Sequence, residues 1–193
     1  SIEFINKLKQ LNKRCFFITN NSTKTRDTYV DMLKKVGVND VNEKEIVCTS
    51  WVLARYLKQH NFKDKCYVVG SAAIGKELDS AGIDHYGVGP THHDIPDPAV
   101  HDYANETKLD PSVKCVVAGF DYYFGYPKMV KATSYAHNNP DVLFIATNDD
   151  AQFPLNKGAN SKTVIPGTGS IVNSLKTSIG REPIILGKPY HTM

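Results

Sequence analysis

Several features that would mark a metal cage, a membrane span or a polyanion partner are scarce in this sequence. Only 4 of its 193 residues are cysteine. Cys15, Cys48, Cys66 and Cys115 are too scattered to form a Cys-x-x-Cys pair, which argues against a zinc ribbon or a dense disulfide framework. Cys15, Cys66 and Cys115 each open an apolar run, the setting of buried free thiols, and this points to the cytoplasm. No stretch approaches the ~20 apolar residues that span a bilayer, and the opening segment is charged and amphipathic rather than an apolar leader. Net charge is only +3 with the lysines dispersed, so nucleic acid and membrane are not expected partners. A small anionic molecule suits this balance. No Asp-x-Asp pair, internal repeat or low-complexity segment occurs.

What remains is an ordinary globular composition, 41% hydrophobic and 22% charged, with helix and strand patterns alternating. Ile2, Ile5, Leu8 and Leu11 recur on one helical face, and Cys15–Thr19 reads as a buried strand. A helix over 25–35 carries Val30, Leu33 and Val36, stopped by Gly37. Thr49 or Ser50 caps a helix through Leu57. Next come a strand at 66–69, a helix at 72–81 and a short strand near 83–87. Residues 88–112 lack periodicity and read as a loop with one short helix near 98–106. Regular structure resumes with a strand at 113–118, a helix at 127–137 and a strand at 142–146. A turn or hairpin at 157–163, a helix opened by Gly167–Ser170 and a strand at 183–186 complete the pattern. Strands separated by helices imply a parallel α/β sheet with helices on its faces.

Several segments carry candidate chemistry. Thr19-Asn20-Asn21-Ser22-Thr23 follows a strand, where hydroxyl, amides and successive N–H groups could cradle a phosphate; a polar turn and helix cap has the same composition. Gly187-Lys188-Pro189 also follows a strand and either presents an ammonium as a point charge or forms a surface turn. Gly70-x4-Gly75-Lys76 has phosphate-loop spacing, but Glu77 stands where Ser or Thr must ligate magnesium, so it reads as a helix under way. His85, His92, His93 and His101, spaced seven, one and eight apart, fit no zinc arrangement and read as solvent-exposed. Phe120–Tyr126 is aromatic enough either to line a pocket or to hold a loop onto the sheet. Gly167–Ser170 reads as a joint or helix cap, with anion binding the alternative.

Thr19-Asn-Asn-Ser-Thr-Lys-Thr-Arg26, Gly119-Phe-Asp121, Ala146-Thr-Asn148, Pro166–Ser170 and Gly187-Lys-Pro189 occur in this order across nearly the whole chain. Together they resemble the haloacid dehalogenase phosphatases with a large α/β cap, the phosphoglycolate, pyridoxal phosphate and 4-nitrophenylphosphate phosphatases. The fold implied is a partial Rossmann-like core, its central strand missing, with a large inserted α/β cap domain. Residues 1–49 and 170–193 would form the core and 50–169 the cap, hinged near Thr49 and Gly167. The activity implied is Mg²⁺-dependent hydrolysis of a small phosphorylated metabolite through an aspartyl-phosphate. Thr19 matches the hydroxyl that binds the transferring phosphoryl group, Asn20 and Asn21 the phosphate cradle, and Lys188 the charge-offsetting lysine. The family's Asp-x-Asp nucleophile motif precedes the Thr19 motif and its metal-completing acidic motif follows Lys188. Neither occurs here, so nucleophile and metal ligands are expected outside these residues, in a longer enzyme. Pyridoxal phosphatases carry histidine at the Phe153 position, so phosphoglycolate or an aryl phosphate is the expected substrate. Pairing through the cap, as family members often do, implies a homodimer; a catalytically silent phosphate-binding or dimerising fragment is the alternative.

Overall fold

The computed structural model describes residues 2–90, 100–137, 139–153 and 163–193. It opens with α1 (Ile2–Gln10), β1 (Phe17–Thr19) and α2 (Arg26–Lys35), and a single 3-10 turn at Glu43–Glu45 leads into β2 (Ile46–Cys48). β1 and β2 pair in parallel as a two-stranded sheet. Val30, Val38, Val41 and Ile46 form its small core, with Ile5, Phe17, Tyr29 and Leu33 packed around them. α2 ends as expected, with Gly37 at φ +94°, a backbone region that a side chain opposes. Val36, expected on the buried face, is exposed because the helix has already stopped there.

The larger unit runs α3 (Thr49–Gln59), β3 (Lys65–Val69), α4 (Ala72–Ser80), β4 (His85–Tyr86) and α5 (Val100–Glu106). It continues through β5 (Val113–Ala118), α6 (Tyr126–Ala136) and β6 (Leu143–Ala146), then β7 (Gln152–Phe153), β8 (Ile165–Pro166), α7 (Thr168–Ile179) and β9 (Ile184–Ile185). β7 and β8 form an antiparallel pair. The five-stranded sheet has the order β4-β3-β5-β6-β9, every pairing parallel. Alternate residues of each strand face opposite sides. Tyr67, Val69, Val116, Ala118, Phe144 and Ala146 pack with α6 and α7 residues such as Ala132, Ile171 and Leu175. Cys66, Val68, Cys115, Val117 and Ile145 pack against α3 and α4, on Leu53, Leu57, Ile74 and Leu78. Burial on both faces explains why these strands read as unbroken apolar runs.

The α/β architecture agrees with the expectation; the division at residue 169 does not coincide with a break in the structure. β9 pairs with β6, Ile145 opposite Ile184 and Ala146 opposite Ile185. Ile171, Val172, Leu175 and Ile179 of α7 belong to the core of the same sheet. Residues 168–186 therefore extend the layer built by 49–146. They do not join β1. A two-residue strand after a helix looks alike in sequence whichever sheet receives it, and only the long-range pairing tells. The turn expected at 157–163 lies almost wholly outside the described residues, as do His92 and His93. Among the described residues, no helix is long and apolar enough to cross a membrane.

Candidate functional site

Three chain segments leave the carboxyl ends of parallel strands and meet at one place: the loop after β1, the segment after β6 and the segment after β9. This is where open α/β sheets place ligands. Lys188 and the Thr19 motif, far apart in sequence, are brought together. The Lys188 Nζ lies 3.5 Å from the Ile18 carbonyl, and the Lys188 backbone N–H donates to Asn20 Oδ1 at 2.7 Å. Asn20 Nδ2 donates in turn to the Lys188 carbonyl at 3.0 Å and to the Asp150 carboxylate at 3.2 and 3.3 Å. The Asn20 carbonyl accepts from Thr49 Oγ1 at 2.8 Å and from Asn148 Nδ2.

The loop itself is a set of nested turns. Thr19 Oγ1 accepts from the Asn21 N–H at 3.2 Å. Asn21 Oδ1 accepts from the Thr23 N–H and from Thr23 Oγ1, both at 2.7 Å, the local bonding that makes Asn a turn residue. Beside Thr19–Ser22 lies a cleft of about 130 Å³, walled by Phe120, Asn148, Asp150, Gln152, Phe153 and Thr168. The Phe120 and Phe153 rings are 5.1 Å apart and form its apolar side. The aromatic run therefore does both things its composition allowed. Phe120 lines the cleft and Phe124 packs on the sheet core, whereas Tyr122, Tyr123 and Tyr126 are exposed. Below it, the fully buried Lys128 Nζ binds Asp121 Oδ2 and the Gly89 carbonyl, each at 2.5 Å. That charge-assisted pair secures the connection from β5 to α6.

The glycines of these motifs mark close approach. A Cβ on Gly187 would meet Asn148 Cβ at 2.7 Å and the Thr147 carbonyl at 3.0 Å. One on Gly167 would collide with the Asp150 carbonyl, and its N–H donates to the Ala151 carbonyl at 2.8 Å. Contact with the 149–152 segment thus accounts for the glycine at this position.

The phosphate-loop-like run has a docking role. α4 begins at Ala72 and Ser71 Oγ donates to the Ser22 carbonyl at 2.8 Å. The Glu77 carboxylate, only 4% exposed, accepts from the Arg26 N–H at 3.1 Å and from Arg26 Nε at 3.2 Å. It caps α2, whose own Thr25 makes no capping bond. Burial pushes the Cys48 and Cys115 thiols up, away from the thiolate that a nucleophile needs. His85 is partly buried and bonds Asp79 at 3.1 Å, unlike the solvent-exposed group expected; His101 is exposed. A larger groove of about 380 Å³ beside Trp51 is lined from α2, α3 and the α4 region and gathers none of the motif residues except Arg26. Sequence reasoning singled out Thr19, Asn20, Asn21 and Lys188, and Thr168 within the Gly167–Ser170 run; it missed Asp150 and Gln152, whose only signal was a polar segment after a buried strand.

A family profile described as "Haloacid dehalogenase-like hydrolase" matches residues 1–84. These residues belong to that family. It is 37% identical to a glycerol-3-phosphate phosphatase of Gallus gallus over 96% of this chain and 57% of that protein. It is 41% identical to the chloroplastic phosphoglycolate phosphatase 1A of Arabidopsis thaliana over 97% of this chain and 50% of that one. The fold superposes on a p-nitrophenyl phosphatase from Archaeoglobus fulgidus with TM-score 0.76 and 28% identity, covering 99% of this chain and 62% of the other. The chain thus spans about half to three-fifths of the length of these relatives.

Proposed function

We propose that this chain forms part of a phosphomonoesterase acting on small phosphate esters, with Thr19 and Lys188 as its contribution to the reacting centre. The observation that carries the reading is the convergence of these two residues beyond parallel strand ends, next to a cleft that suits a small leaving group. Thr19 Oγ1 would hydrogen-bond the transferring phosphoryl oxygens, and the Lys188 ammonium would offset their charge. Both are positioning and electrostatic work of the kind phosphoryl transfer demands. Asn21 would hold the turn that aims the loop's N–H groups at the phosphate. The attacking aspartate of an aspartyl-phosphate route would lie elsewhere in the full-length protein. β1 pairs on one edge only among the described residues, and Phe16 before it and Ile18 within it are 52% and 50% exposed. A strand bearing the nucleophile fits there.

Magnesium is the metal the family implies. Among the described residues no group of three or more His, Cys, Asp or Glu side chains is placed to hold a metal, so no ligand is assigned to this chain and no step runs through the ion. The unit from Thr49 to Leu186, including α7 and β9, would serve as the cap, a boundary revised from the sheet topology. Phe153 on Phe120 gives an apolar wall without the hydrogen bond that a pyridoxal-binding histidine would supply. Glycerol 3-phosphate, 2-phosphoglycolate and aryl phosphates, named for the relatives, are the substrates to test.

The decisive assay compares the full-length protein, its Lys188→Ala variant and residues 1–193 alone on these three esters with magnesium. Turnover by the full-length protein, abolished by Lys188→Ala and absent from residues 1–193, is expected. Loss of a member of such a unit costs up to about a millionfold. Lys188-dependent turnover by residues 1–193 alone would overturn the assignment of the nucleophile. Phosphate binding without turnover by the full-length protein would favour the silent binding module instead.

A further inference from the structure

We propose that Asn20 is a positioning residue that fixes the backbone of Lys188 and, through Asp150, ties it to the segment after β6, in place of the phosphate-cradling role its position suggests. The inference rests on Lys188 being the charge-offsetting lysine. A carboxamide offers one acceptor and two N–H donors, and every one is engaged. Oδ1 accepts from the Lys188 N–H at 2.7 Å, while Nδ2 donates to the Lys188 carbonyl at 3.0 Å and to Asp150 at 3.2 Å. The amide orientation follows from the partners: turned over, it would face N–H against N–H and carbonyl against carbonyl and carboxylate. Nothing on this side chain is left to donate to a phosphate.

The arrangement matters because of what lysine is. Its ammonium is a point charge on a flexible stem, and Lys188 is exposed. Its Nζ has the Ile18 carbonyl at 3.5 Å, a long contact. Where the charge sits is therefore set by where the backbone is held. Asn20 holds that backbone on both its polar groups. The Asn20 main chain is itself fixed from two further segments, by Thr49 at 2.8 Å and by Asn148. Gly187 contributes by letting the strand end press against Asn148. Sub-ångström placement is worth this much hardware, because a displacement of about 1 Å can cost about a hundredfold in rate.

Aspartate at position 20 keeps the shape and the acceptor for the Lys188 N–H, but turns acceptors toward the Lys188 carbonyl and Asp150. In the full-length protein, assayed with 4-nitrophenyl phosphate and magnesium, Asn20→Asp should lower kcat about a hundredfold while KM moves less than about threefold. Inhibition by inorganic phosphate should be unchanged in Asn20→Asp, since a residue acting through Lys188 makes no phosphate contact of its own. A KM effect accompanied by weaker inhibition by inorganic phosphate would instead assign Asn20 to the cradle. Should thermal melting show that Asn20→Asp does not fold, the Asp150 pair decides. Asp150→Asn keeps an acceptor for Nδ2 and should turn over about tenfold faster than Asp150→Ala; equal rates in both overturn the proposal. If Lys188→Ala itself keeps full activity, the underlying reading of the lysine fails. Lys188→Ala inactive beside a fully active Asn20→Asp sinks only the present inference.

Discussion

The five-stranded unit and the β1–β2 unit use similar residues to different ends. In the first, Tyr67, Val68 and Val69 are essentially sealed from solvent between α3 and α4 on one face and α6 and α7 on the other. In the second, Ile18 in the middle of β1 and Phe16 just before it stand half exposed, as do Phe4 and Leu11 in and after α1. Yet the second unit carries Thr19. Its loop is held less by its own core than by polar bonds from the larger unit: Ser71 to Ser22, Glu77 to Arg26, and Thr49, Asn148 and Asp150 to Asn20. The comparison teaches that a loop can be fixed in place where its own supporting layer is thin, provided a neighbouring layer supplies the bonds.

Breaking the larger unit from inside should give the largest effect. Asp121 and Lys128 are 1% and 0% exposed at the side chain. Removing one partner strands a buried charge at a cost of about 3–5 kcal/mol. Denaturant melts of Asp121→Ala should show it; a loss below about 1 kcal/mol, the size of an exposed ion pair, would mean the pair is not sealed from water. Next in size is a matched core test. Leu53→Ala, at a fully buried site, should cost about 2–5 kcal/mol. Val30→Ala in the small core should cost about 1–2 kcal/mol from the lost methyl groups. Equal losses would erase the contrast between the units.

Hydrogen exchange sharpens the same contrast without mutation. Amides of β3 and β5 should be protected at the global limit, and those of β1 should exchange through cheaper local openings. Faster exchange in β5 than in β1 would reverse the ranking. The smallest effect concerns Tyr29, where burial pushes the phenol from 10.0 up to about 12. The fold prefers the neutral form, so this contribution is complete below pH 10, falls as the unfolded chain ionises first, and is lost by about pH 12. Tyr29→Phe should flatten the stability curve across that window relative to the parent. An unchanged slope would show that Tyr29 ionises as freely folded as unfolded.

Much of the layering was open to reading in advance. β5 matches its expected residues because six consecutive positions between turns can only be a buried strand, and α4 and α7 begin within a residue of their expected starts. β2 escaped notice because Ile46-Val47-Cys48 is three residues squeezed between a 3-10 turn and a helix, too short for any periodicity. The Phe153 substitution was legible as chemistry; its contact with Phe120 was not.

By itself the sequence determined the alternation of strand and helix, the two-sided burial of the sheet, and which turns carry Thr19 and Lys188, because these follow from local periodicity and turn chemistry. Only the tertiary structure decided that β9 completes the sheet beside β6, that Glu77 serves Arg26 and not a nucleotide, and that Asn20 grips Lys188. Each of these is a pairing between residues far apart in the chain. Composition leaves such pairings open, since any exposed polar group can be satisfied by water until packing brings a partner within about 3 Å.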